Sequence, residues 1–130
     1  VAGIDAWRMT YFGTTDATGD RADTASAAGD GMANLLKYAL GLDPNIPATP
    51  AAAGLSLEVP TDGGGDHLRF TFTGTAADVT YIVEANSDLN GVWTPLYTHS
   101  GSAPGTVVVD DPQPLSEQPR RFIRLRVTRL

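Results

Sequence analysis

A mainly β fold is what this sequence predicts: an antiparallel β-sandwich of six or seven strands with a short N-terminal helical segment packed on it. Three observations point there. From residue 55 the apolar residues recur with a period of two. The alternating runs are short, and Gly, Asp and Asn turn signals break them at near-hairpin spacing. Before residue 45 a single amphipathic stripe with the period of a helix is closed by Gly41 and Pro44.

Residues 4–12 predict a short helix with Ile4, Trp7, Tyr11 and Phe12 on one face. Gly13 to Gly29 is polar, rich in Gly and Asp, and long for a small domain; such a loop is functional or loosely ordered. A helix is expected over Met32–Leu40, because Met32, Leu35, Leu36, Ala39 and Leu40 fall at i, i+3, i+4, i+7 and i+8. Asp30 is placed to cap its start. Gly41 suits the left-handed position after its end, with Leu42 making the following apolar contact and Pro44 preventing continuation. Three prolines mark residues 43–54 as a connector.

The strands follow. Leu55, Leu57 and Val59 alternate, and Asp62-Gly-Gly-Gly-Asp66 turns the chain. Leu68, Phe70 and Phe72 face one way, with Arg69, Thr71 and Thr73 opposite. After a turn at Ala76–Asp78, Val79, Tyr81, Val83 and Ala85 form the next inward row. Asp88-Leu-Asn90-Gly91 is a turn signal ahead of a strand over Trp93–Tyr97. Thr106–Asp110 and Arg121–Thr128 complete the set, the last with Ile123, Leu125 and Val127 against Phe122, Arg124 and Arg126. The expected organisation is a helical, loop-bearing segment over 1–45 packed on a sandwich over 54–130. A chain of 130 residues buries roughly two-thirds of its unfolded surface, enough for one core without staples.

Charge narrows the function. The net charge is −6 with a pI near 4.6, which argues against nucleic acid as a partner. Residues 61–119 hold eight acids against Arg69, whereas the last eleven residues carry five arginines and no acid. Those arginines read as one strand laid beside acidic neighbours. There is no cysteine, hence no disulfide or thiolate chemistry. No apolar run approaches a membrane span, so no membrane insertion is expected. The chain opens on Val1 rather than methionine, and is expected to be a processed or excised piece of something longer.

Catalysis finds little support. His67 and His99 sit at strand edges beside turns, without a nucleophile at a telling spacing. Asp110 and Asp111 are adjacent, so on a strand they point to opposite faces and make a poor acid/base pair. No glycine-rich loop opens a phosphate-binding helix. The expectation is that the chain is not an enzyme.

The stretch from Ser26 to Lys37 has the outline of a calcium loop. A 12-residue loop of that kind places oxygen donors at positions 1, 3 and 5, glycine at 6 and a bidentate glutamate at 12. With Gly31 at position 6, Asp30 falls at 5, Ser26 at 1, Ala28 at 3 and Lys37 at 12. An irregular site drawing on Asp20 or Asp23 with Asp30 is chemically reasonable, because calcium tolerates flexible oxygen geometry. Against it, Lys37 can pair with Asp30 or Asp23 from the glutamate's position and keep the loop's shape without metal. The ligand count favours the second account, leaving calcium as an open cofactor. For sugars, the flat aromatic candidates are Trp93, Tyr97, Tyr81 and Trp7; lone tryptophans beside a turn are more often packing anchors.

The run Gly29-Asp-Gly-Met-Ala-Asn-Leu-Leu-Lys-Tyr-Ala-Leu-Gly-Leu-Asp-Pro44 resembles a C-terminal accessory module of large secreted proteins from Verrucomicrobia, Planctomycetes and related bacteria. Their usual form is an Asp-x-Asp-Gly-Asp-Gly calcium loop of the thrombospondin type 3 or dockerin kind followed by Asn-Leu-Leu-Glu-Tyr-Ala. Tyr81–Leu89 with Trp93, the closing Arg121–Val127, and the opening Trp7-Arg8 with Phe12-Gly13 are similar to the rest of that module. The resemblance implies a non-catalytic structural or attachment module, exported or held at the cell surface and joined to an upstream domain of the same polypeptide. The alternative is a carbohydrate-binding module on a glycan-degrading enzyme, with a polysaccharide partner. It implies calcium ligands at Asp30 and the Met32 carbonyl; Ser26, Ala28 and Lys37 depart from the pattern. Gly31, Asn34, Lys37 and Gly41 are then structural, Asn34 binding backbone at the start of the helix. The sandwich expected is of the immunoglobulin or fibronectin III kind.

Overall fold

The computed structural model describes residues 3–60, 66–88, 91–116 and 120–130. Helix α1 (Gly3–Phe12) leads through a loop containing a single 3-10 turn (Gly19–Arg21) to helix α2 (Asn34–Ala39). Six strands follow: β1 (Ser56–Glu58), β2 (Arg69–Gly74), β3 (Val79–Asn86), β4 (Thr94–Ser100), β5 (Gly105–Asp110) and β6 (Phe122–Arg129). They form two three-stranded antiparallel sheets, in the orders β1-β2-β5 and β4-β3-β6. The domain is mainly β, with a short helical segment. The expected turns at Asp62–Asp66 and Asp88–Gly91 fall largely outside the described residues.

One apolar core joins the two sheets and the helical segment. Phe70, Phe72 and Val109 come from the first sheet, Tyr81 and Val83 from the second, and Met32, Ala39 and Leu40 from around α2. Phe72 stacks on Tyr81 with ring centroids 5.6 Å apart, so the two sheets meet through their middle strands. The strand periodicity explains this. Tyr81, Val83 and Ala85 on β3 pair across with Val127, Leu125 and Ile123 on β6, which puts both inward rows on one face. A bulge between Val83 and Glu84 shifts the register against β4.

Three expectations need correction. Helix α2 is shorter than Met32–Leu40, and its N-cap position falls on Ala33, which has extended backbone and no side-chain cap. Asp30 therefore does not cap it; Leu35 N–H and Asn34 N–H donate instead to the carbonyls of Asp23 and Ala25. Strand β1 buries none of its residues, and Leu57 is 52% exposed, because this strand is short and lies at a sheet edge. Strand β4 starts at Thr94, one residue late, and runs on through His99 to Ser100. The end of α2 fits its signals. Gly41 has φ +76°, its N–H donates to the Tyr38 carbonyl, and Leu42 N–H reaches back to Lys37 O at 2.8 Å.

Candidate functional site

The loop entering α2 is built around one carboxylate. Gly31, with φ +78°, turns the backbone where a side chain would be strained. That turn folds Asp30 back over its own loop. Asp30 Oδ1 accepts the Ser26 hydroxyl at 2.8 Å and the Met32 N–H at 3.0 Å. Asp30 Oδ2 accepts the Ala48 N–H at 2.8 Å and lies 2.7 Å from Lys37 Nζ. Ser26 Oγ in turn accepts the N–H groups of Asp30 and Gly31. The Lys37 side chain is fully buried and its ammonium also donates to the Ile46 carbonyl at 3.0 Å. The Lys37 hydrogen bond, then the Ala48 and Met32 amides, hold the Asp30 carboxyl far below the usual range, against a smaller opposing effect of burial.

Asn34 fastens the rest of the loop. Its buried amide donates to the carbonyls of Asp20 at 2.8 Å and Ala22 at 2.9 Å and accepts the Ala27 N–H. A loop with almost no apolar residues is thereby held by satisfied backbone groups rather than by a core. Asp23 serves a different purpose. Its carboxylate takes the Arg8 guanidinium from α1 and both Nε and Nη2 of Arg129 from β6, the latter at 2.6 and 3.0 Å. Arg8 is fully buried and donates Nε to the Arg21 carbonyl at 3.1 Å. Near this clasp, Asp78 accepts the Tyr38 hydroxyl and the Ile4 N–H, so a residue of the β2–β3 turn caps α1 from outside the helix. Burial first, then Asp78, pushes the Tyr38 hydroxyl well above the usual phenol range.

The metal candidates are therefore not gathered. Asp20 contributes its backbone to Asn34, Asp23 is engaged by two arginines, and Met32 meets Asp30 through its N–H rather than its carbonyl. Among the described residues no group of three or more His, Asp or Glu side chains is disposed to hold a metal ion. The donor set of the loop does not fit calcium: an ammonium already sits on the oxygens that would face it, and position 3 is an alanine.

The aromatic candidates separate as well. Tyr81 is fully buried, stacked on Phe72, its hydroxyl donating to the Ala39 carbonyl at 2.7 Å and accepting the Ala76 N–H. It has no face to offer a sugar, and that candidacy is withdrawn; burial pushes its hydroxyl upward too. Tyr97 is half-buried, edge-on to Phe72 and stacked on His99. Trp7 packs edge-on against Tyr11, Phe12 and Tyr38 and donates to the Leu42 carbonyl, anchoring α1 to α2. Trp93 is half-buried just ahead of β4, with the Arg124 guanidinium 4.1 Å from its ring centroid.

Beside Trp93 lies a charged row. Arg124 and Arg126 both donate to the same oxygen of buried Glu84, at 2.6 and 3.1 Å. Burial pushes the Glu84 carboxyl up, but the two arginines more than offset this and hold it below its ordinary value. The expected strand of arginines beside acidic neighbours is thus met at Glu84, at Asp111 by Arg121 (2.6 Å) and at Asp23 by Arg129. Asp110 and Asp111 do face apart: Asp110 meets Arg69 and His67 at the surface, while Asp111 is buried under Arg121. His99 bonds Ser102. Two depressions of about 250 and 280 Å³ flank Leu36 and Leu125: the first is lined mostly by apolar side chains of α2, β1, β2 and β6, and the second, between α2 and β6, also has Asp23, Thr24 and Arg126 in its lining. Among the described residues no helix is long and apolar enough to cross a membrane. Comparison with protein-family models, curated proteins and solved structures finds no match to this chain.

Proposed function

We propose that this chain is a non-catalytic structural or attachment module of a larger secreted or cell-surface protein, its two sheets closing as an immunoglobulin- or fibronectin III-like sandwich. The observation that carries the reading is the Arg8–Asp23–Arg129 clasp. It joins the first helix, the long loop and the last strand at one carboxylate, with Arg8 buried and Arg129 partly exposed. With Asp30–Lys37, Glu84–Arg124–Arg126 and Asp111–Arg121, it commits ionisable side chains to holding elements together. Groups engaged in this way are poorly placed to exchange protons with a substrate. Fusing the chain to an exported reporter tests the proposal: the reporter should stay with washed cells when fused and be released when not. Equal release of both sinks it.

A second reading, a carbohydrate-binding module, is favoured by Trp93 and Arg124. A half-buried aromatic ring just before β4 and the half-exposed guanidinium lying over it bring an aromatic surface and hydrogen-bond donors together. Retardation on affinity gels of neutral and acidic polysaccharides, lost in Trp93→Ala with the fold intact, supports it. Unchanged mobility across the panel removes it.

A further inference from the structure

We infer that Lys37 is the resident cation of the Ser26–Lys37 loop: its tethered ammonium stands where a loop of this layout otherwise holds calcium, so the loop keeps its shape without metal.

The argument is one of position, charge and donor count. Lys37 occupies the twelfth place counted from Ser26, the place of the bidentate glutamate that closes a calcium loop. Its Nζ meets a carboxylate oxygen of Asp30 at 2.7 Å and the Ile46 carbonyl at 3.0 Å, oxygen types that calcium also uses. A dication needs several anionic ligands, whereas this pocket supplies one carboxylate, which one ammonium neutralises. The remaining positions have changed in the same direction. Ser26, at the first place, gives its hydroxyl to Asp30 and receives two backbone N–H groups, so it works within the hydrogen-bond network instead of facing a cation. Ala28, at the third, has no oxygen in its side chain. Hydrogen bonds from Ala48 and Met32 satisfy the Asp30 oxygens further. A calcium ion entering here would meet a buried positive charge and too few ligands. A module built this way holds its form in calcium-poor surroundings, where an acid-lined loop loosens.

Thermal unfolding of the intact chain tests this in three parts. The wild-type melting temperature should be the same in a chelator and in about 10 mM calcium; a fall on chelation overturns the inference. The double variant Ala28→Asp with Lys37→Glu, which returns carboxylates to the third and twelfth places, should melt lower than wild type in chelator. It should gain about 5 °C on adding about 10 mM calcium if the restored site binds near 1 mM, as weak extracellular loops do. Indifference of that double variant to calcium shows that the loop does not exchange one cation for the other and overturns the inference. Nitrogen-15 spectra of the wild type supply a measurement free of folding defects. A slowly exchanging ammonium signal from Lys37, unmoved by calcium, is expected; its loss on adding calcium means displacement by metal and defeats the proposal.

Discussion

The two halves of this molecule stay ordered by opposite means. The sheets are held chiefly by apolar rows that follow from alternation: Phe72 and Val83 are fully buried and need only shape. The segment from Gly3 to Leu42 instead buries Arg8, Asn34 and Lys37, and each of these is matched to named acceptors. Apolar packing tolerates substitution in proportion to volume, whereas a buried polar network fails when any one member is removed. Damage should therefore spread through the sheets and stay local in the loop.

The largest loss is expected in the sheets. Phe72→Ala, which empties the contact with Tyr81 and Tyr97, should cost about 3–5 kcal/mol in urea titration. It should lower protection against hydrogen exchange throughout both sheets. Asn34→Ala sharpens the contrast. Leaving the Asp20 and Ala22 carbonyls without their donor should cost about 1–3 kcal/mol, with faster amide exchange concentrated in residues 20–27. If exchange rises equally in β3, the two regions are not held separately.

Acid acts on both regions with the same sign. The folded Asp30 and Glu84 carboxyls both lie below their ordinary values. Their contribution is therefore complete above the unfolded pKa of about 4 and is lost as pH falls from there toward the depressed folded values. Melting temperature should decline below about pH 4, and Asp30→Asn should flatten that decline while starting from a lower value near pH 7. A profile as steep in Asp30→Asn as in wild type would remove the loop carboxylate from the account. The smallest effect is expected at the surface. Trp93→Ala, which takes away the ring beneath Arg124, should cost about 1 kcal/mol or less, read as a small shift in urea midpoint with unchanged far-ultraviolet dichroism.

Much of the β half was legible because alternation is a local property. Val79, Tyr81, Val83 and Ala85 could be placed inward from their own sequence, as could Ile123 and Leu125. The strand order was not, since nothing local says that β2 lies beside β5 or that β3 sits between β4 and β6. In the loop, Lys37 could be read against a template of fixed spacing. Arg8, by contrast, carries no local signal for burial: its complete burial depends on Asp23 and the Arg21 carbonyl, which no helical pattern announces. The cap on α1 comes from Asp78, 74 residues away. Alternation also misjudged Leu57, because a period of two says which face a residue takes but not whether anything covers that face.

The Asp23 clasp has a kinetic side. Its bond to Arg129 spans 106 residues, so forming it closes a loop of most of the chain, at an entropic cost that local contacts do not meet. Such a contact belongs after β6 has paired with β3, when Arg129 is already delivered to the loop. Asp23→Asn should then leave the refolding rate nearly unchanged and speed unfolding, a pattern stopped-flow fluorescence can read directly. On this account the clasp works as a latch that shuts last, and its strength sets how long the finished domain lasts rather than how quickly it is made.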